Sequence, residues 1–184
     1  MTNIISYKGV KPKIDSSAFI AKTAIITGNV EIGENSSVWY GCVFRGDVAK
    51  LSVGKNSNIQ DNTVLHGTRP NHVQNKTGAQ GACVTIGDNV TIGHCAVIHA
   101  CTIQDNSFIG MKSVVMDLAV VEEYGMLAAG AVLTPGKVVK SGQIWAGSPA
   151  KYFRDLSQEE KDYMLISADN YAELARDYKE ENDN

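Results

Sequence analysis

The sequence is poor in aromatic residues, in leucine and in net charge. Phe, Trp and Tyr make up only 7% of its 184 residues, so its core must be built mainly from aliphatic side chains. Leucine, usually the commonest residue of a globular protein, occurs 8 times against 18 Val and 15 Ile. That excess of β-branched residues argues for strands. No stretch approaches the ~20 consecutive apolar residues of a membrane-spanning helix. Met1 to Val10 also lacks the basic, apolar and cleavage regions of a signal peptide, so the expected compartment is the cytoplasm. With 17 Lys and Arg against 20 Asp and Glu, the net charge is −3, which provides no basic field for nucleic acid or an anionic membrane. Four cysteines, Cys42, Cys83, Cys95 and Cys101, are too few for a disulfide scaffold and are expected to be reduced. One soluble domain remains.

What the sequence does have is a six-residue period. One apolar position recurs at Ile20, Ile26, Ile32, Val38 and Phe44, then at Val53, Ile59 and Leu65. It resumes at Ile86, Ile92 and Ile98, shifts by one, and continues from Ile103 to Val139. A small residue stands two places earlier, as at Ser36, Cys42, Ser57, Ala96 and Ser107, and Gly often follows the aliphatic, as at Gly33, Gly54 and Gly110. A period of six is neither 3.6 nor 2, so ordinary helices and sheets both fail. It fits a solenoid of hexapeptide repeats, each forming one side of a coil, with Gly relieving the bends. The fold expected is an all-β solenoid, a parallel β-helix of three-sided coils about 18 residues long, whose interior is too narrow for aromatics.

From Ser157 the pattern changes. Ser157-Gln158-Glu159-Glu160 is a capping box, and Met164, Ala168, Tyr171, Ala172, Ala175 and Tyr178 recur at helical spacing. An amphipathic helix is expected from Gln158 to Lys179, packed on the β-helix or on a neighbouring subunit. The division is then 1–153 for the β-helix, with a loop at 67–82, and 154–184 for the helix and tail.

The repeat has two interruptions, of three residues between Phe44 and Val53 and of 15 between Leu65 and Ile86. If both are loops extruded from a corner, Phe44, Leu65 and Ile98 lie on the same side of successive coils. The residues after them, Arg45, His66 and His99, then form a column with about 4.8 Å between neighbours. Two stacked imidazoles at that separation can share a metal ion. His94 points from the next corner and should not reach them inside one chain; in a threefold assembly it could, from a neighbouring chain. A competing structural zinc set of His94, Cys95, His99 and Cys101 is disfavoured, because Cys101 falls on an inward position and Cys95 lacks zinc-finger spacing.

The Arg45-Gly46-Asp47 turn, the segment Asn58-Ile59-Gln60-Asp61-Asn62 leading to His66, and His94-Cys95-Ala96-Val97-Ile98-His99 resemble the gamma-class carbonic anhydrases and their bacterial homologues in the hexapeptide-repeat superfamily. The likeness runs from about Lys13 to Tyr171. It implies a left-handed β-helix and a homotrimer. In it His66 and His99 of one chain and His94 of the next bind Zn²⁺ or Fe²⁺, and metal-bound hydroxide attacks CO₂ to give bicarbonate. It also implies that Gln60 orients hydroxide or substrate, that Arg45 and Asp47 form an intersubunit ion pair, that Asp61 is a supporting carboxylate, and that Tyr171 approaches the site. Two departures bear on rate. Val48 stands where some highly active members carry an acidic residue, and the 67–82 loop contains Arg69, His72 and Lys76 but no Asp or Glu. His72, with its near-neutral pKa, is the candidate to export the proton. The alternatives are a metal-dependent hydrolase of another carbonyl such as a CoA thioester, a hexapeptide-type acyltransferase, and a non-catalytic trimeric scaffold.

Overall fold

Two-residue strands separated by four-residue turns follow one another from Thr102–Ile103 to Val138–Val139, which is the six-residue period made physical. The computed structural model describes residues 3–70 and 81–182. Its strands wind into a parallel, left-handed β-solenoid of about 7 turns followed by a single helix.

Three faces result. The first carries Phe19–Ile20, Ser37–Val38, Asn58–Ile59, Thr91–Ile92, Phe108–Ile109 and Met126–Leu127, all parallel, and ends in an antiparallel hairpin of Gln143–Ala146 with Lys151–Asp155. The second includes Val64–His66, Val97–His99, Val114–Val115 and Val132–Leu133. The third includes Val84–Ile86, Thr102–Ile103, Val120–Val121 and Val138–Val139. Ile25–Ile32 and Val43–Val53 run unbroken around the corner between the second and third faces and join them into one 12-stranded sheet.

That continuity corrects one expectation. The three extra residues before Val53 are not an extruded loop. Thr27 pairs with Arg45 and Val30 with Leu51, so the surplus is a bulge around Asp47 to Lys50 inside a continuous strand. At the 15-residue insertion the described residues show a neck, closed by reciprocal backbone hydrogen bonds between Thr68 and Ala82 of 2.9 and 3.0 Å.

The period-six aliphatics stack inside as ladders. Ile26, Phe44, Leu65, Ile98, Val115 and Leu133 form one of them, each fully buried. Burying one such side chain contributes about 1.5–3 kcal/mol. Phe44 shows that the interior accepts an aromatic ring, against the expectation. Phe19 and Trp39 instead lie outside the coil, beneath the helix.

The glycines that directly follow the aliphatic have a different reason from the one expected. The left-handed turn conformation falls on Asn35, Asn56, Asn89 and Asn106, with φ of 53–58°, a region asparagine tolerates. Gly54, which follows the aliphatic, is needed because a Cβ there would meet the Gly87 carbonyl carbon of the next coil at 2.6 Å. The asparagines then bond from coil to coil, Asn56 Nδ2 donating to Asn89 Oδ1 and Asn89 Nδ2 to Asn106 Oδ1, both at 3.0 Å.

Helix α1, Gln158–Asn182, begins where the capping box puts it and runs three residues beyond Lys179. The Glu160 N–H donates to Ser157 Oγ at 3.2 Å and the Ser157 N–H to Glu160 Oε2 at 2.9 Å. Met164, Ala168, Ala172 and Ala175 are buried against the first face, with Tyr171 and Tyr178 edge-on to Trp39.

Candidate metal centre

The register builds the histidine column. Arg45 pairs with His66 and His66 with His99, so the three project from one corner, between the second and third faces. His66 Nδ1 and His99 Nε2 approach to 3.2 Å. The other nitrogen of each ring meets a carboxylate: His66 Nε2 lies 3.1 Å from Asp47 Oδ1, and His99 Nδ1 lies 2.8 Å from Asp117 Oδ1. An imidazole that donates its N–H to a carboxylate keeps the lone pair on its remaining nitrogen. Two lone pairs therefore converge, an arrangement that is repulsive unless a proton or a cation lies between them. Two nitrogens bound to one tetrahedral cation at about 2.0–2.1 Å are about 3.3–3.4 Å apart. The pair fits half of an imidazole metal site.

The bulge places Asp47. By detouring from the strand path it brings one carboxylate oxygen to His66 and the other to Arg45 Nη1 at 2.6 Å. Burial raises the Asp47 pKa, but hydrogen bonds from Arg45 and His66 outweigh it and hold the carboxyl below its usual value. Burial also lowers the pKa of His66, with Arg45 adding to the effect, against the opposing pull of Asp47. His66 is thus disposed to be neutral and able to ligate. Within one chain Arg45 and Asp47 pair with each other, because a spacing of two residues across the bulge suffices. A cavity of about 330 Å³ opens here, lined by Arg45, Asp47, His66, Thr68, Arg69 and His99.

His94 belongs to the other edge of the second face, at its corner with the first. Ile59 pairs with Ile92, and the same offset of 33 sets Asp61 above His94. His94 Nδ1 lies 2.8 Å from Asp61 Oδ2, which leaves Nε2 for other work. Among the described residues of one chain no three His, Cys, Asp or Glu side chains converge as a ligand set. The Cys95 and Cys101 alternative fails on direction, one being exposed and the other buried in the core. All four cysteines are free, and burial pushes the Cys42 thiol up to about 11.

Gln60 and Tyr171 join His94 around a second cavity of about 440 Å³, walled by Phe108, Met126 and Ile144. Gln60 is held from behind: its Nε2 donates to Asn58 Oδ1 at 3.1 Å, and Asn58 Nδ2 donates to Thr91 Oγ1 at 2.9 Å. Thr91 Oγ1 lies 3.3 Å from Ser167 Oγ, which links this chain to the helix. Burial, with a contribution from Asp61, raises the Tyr171 pKa. His72 lies outside the described residues.

Asp117 and Thr68 were not singled out in the sequence. Ile98 pairs with Val115, so Asp117 stands one residue past the next position of the histidine column, where register alone does not fix side-chain direction.

Comparison with known proteins gives consistent results. The family model described as dynactin subunit 5 matches residues 5–175. A carbonic anhydrase of Geobacillus kaustophilus is 38% identical over 176 residues, covering 96% of this chain and 91% of that protein. The mitochondrial gamma carbonic anhydrase 2 of Arabidopsis thaliana is 46% identical over 173 residues, or 93% of this chain. This chain spans only 60% of that relative's length. The crystal structure of a hexapeptide transferase family protein from Anaplasma phagocytophilum superposes with a TM-score of 0.86 at 51% identity, covering 95% of this chain and 97% of that one.

Proposed function

Because this chain belongs to the gamma carbonic anhydrase-like family of hexapeptide-repeat proteins, we propose that it is a metal-dependent hydratase converting CO₂ and water to bicarbonate and a proton. The observation that carries the reading is the convergence of His66 Nδ1 and His99 Nε2 at 3.2 Å, each backed by a carboxylate. Such carboxylate–histidine pairs fix tautomer and ring orientation in metal sites. His66 and His99 of one chain with His94 of the next would hold Zn²⁺ or Fe²⁺, since imidazole suits both. When bound, the cation supplies the Lewis acidity that makes water a competent nucleophile near neutral pH.

The chain's own residues do the rest. Asp47, Asp61 and Asp117 hold the distal ring nitrogens. Gln60, its amide nitrogen engaged by Asn58, keeps its carbonyl oxygen to accept from the attacking water. Tyr171 closes the same cavity. Proton export is the weak step, because the 67–82 segment offers no carboxylate, and His72 is our candidate for it.

The trimer is supported by the three faces. The first is covered by α1, and the third presents Lys13, Glu31, Ser52 and Thr85 outward. The second presents Ile25, Val64 and Val97, 38–40% exposed, between the His94 corner and the His66–His99 corner. A copy of the chain seated on that face covers the stripe and joins the two half-sites. Four free thiols suit a reducing compartment, which we take to be the cytoplasm. No helix among the described residues is long and apolar enough to cross a membrane.

One observation favours a second reading. The apolar cavity of about 440 Å³ beside His94 has room for more than CO₂, and the same chemistry would hydrolyse a larger carbonyl such as a CoA thioester. Stopped-flow CO₂ hydration on protein reconstituted with Zn²⁺ or Fe²⁺, repeated with acetyl-CoA, separates them. A metal-dependent rate with CO₂ that is lost in His94→Ala is expected. Turnover of acetyl-CoA alone overturns the hydratase reading in favour of the hydrolase, and no metal-dependent turnover of either overturns both.

A further inference from the structure

Asp117 is an aspartate only 5% exposed, in a turn that needs no acid for its backbone. Its neighbours in that turn already bond coil to coil, the Leu118 N–H donating to the Ala100 carbonyl at 2.7 Å and the Gly136 N–H to the Asp117 carbonyl at 3.0 Å. A buried carboxylate is costly unless it is paired and hydrogen-bonded. Here one oxygen meets His99 Nδ1 at 2.8 Å and the other accepts from Thr68 Oγ1. Thr68 in turn is one of the two residues that close the neck of the 67–82 insertion. A line of contacts therefore runs from the neck through Thr68 and Asp117 to the ring nitrogen of His99 opposite the one that faces His66.

We propose that Asp117 is the positioning residue of the metal half-site, fixing His99 as the Nδ1–H tautomer with its Nε2 lone pair aimed at the cation, and that Thr68 anchors Asp117 to the neck of the insertion. Free imidazole favours the proton on Nε2, so without the carboxylate His99 presents a proton where the site requires a lone pair. The insertion acquires a second function: its neck braces a ligand. The cation side of the proposal rests on the metalloenzyme reading, whereas the tautomer side does not.

Two readouts keep these apart. The first is imidazole ¹⁵N NMR of histidine-labelled, metal-free protein. In the wild type His99 is expected to carry its proton on Nδ1, and in Asp117→Asn to shift toward Nε2–H. A wild-type His99 whose Nδ1 carries no proton, or no shift in the variant, overturns the proposal whatever the metal result. The second is Co²⁺ titration followed by visible absorption. Asp117→Asn is expected to weaken Co²⁺ binding about 10- to 100-fold, as loss of a supporting partner to a ligand does, with trimer and circular dichroism unchanged. Equal affinities of wild type and variant overturn the positioning role. A wild type that takes up no Co²⁺ contradicts the functional reading instead and leaves the tautomer result to decide the proposal. Should Asp117→Asn fail to assemble, Thr68→Val carries the test, because it keeps the carboxylate and removes its donor. It is expected to weaken Co²⁺ binding several-fold, and unchanged affinity overturns the anchoring.

Discussion

A neutral imidazole has one N–H and one lone pair, and its partner decides which nitrogen carries which. In this protein that choice is made by Asp47, Asp61 and Asp117, one behind each of the three histidines. In the proposed reaction Gln60 works on the other side of the chemistry. Replacing it by alanine is expected to lower metal-dependent turnover about 10- to 100-fold, the worth of one hydrogen bond to a charged group, while metal stoichiometry stays unchanged. Loss of metal together with rate would instead make Gln60 structural. The histidine column was legible in the sequence because a fixed period turns residue number into position: subtracting the insertions sets His66 over His99. The same offset of 33 sets Asp61 over His94, although Asp61 was identified by resemblance alone. Asp117 was overlooked because it lies one residue beyond the column, where side-chain direction matters more than register.

At the scale of elements, the capping box and the apolar stripe of α1 were both readable, because a local motif and a 3.6-residue period need no tertiary information. Arg154, bound to Glu160 through two nitrogens at 2.7 and 2.8 Å, was not readable, since the terminal hairpin that delivers it is a tertiary feature. The hydrogen bonds from Arg154, then from the Ser157 backbone, hold Glu160 at about 2, below its ordinary 4.5. A depressed carboxyl stabilises the fold above its unfolded pKa and loses that contribution as pH falls through its folded pKa. Glu160→Gln is therefore expected to melt below wild type at pH 7, and the gap to close as pH falls from about 4.5 to about 2. A gap that persists at pH 2 would show that the carboxylate charge is irrelevant to the cap. The bulge at Asp47 was misread as a loop, because sequence spacing counts surplus residues without saying whether the strand continues through them. The reason for the glycines was missed similarly, since a close approach between coils leaves no trace in a local pattern.

For the whole molecule, the outward side chains of the three faces differ in kind: one face lies under a helix, one is largely polar, and one is aliphatic. Val97, about 40% exposed in the middle of the aliphatic face, tests what covers it. Val97→Glu is expected to leave circular dichroism unchanged and to shift the sedimentation coefficient from trimer to monomer, with loss of metal. A variant that stays trimeric places the interface elsewhere. The most direct test of a metal site divided between chains is metal content in mixed trimers. His66→Ala and His94→Ala subunits, each unable to build a site alone, are unfolded together, refolded and separated as mixed trimers by distinguishable tags. Each mixed trimer then has one interface where an intact His66 and His99 meet an intact His94. The account predicts one tightly bound metal ion per mixed trimer and none in either parent. Equal metal content in parents and mixtures, whether full or zero, would contradict it.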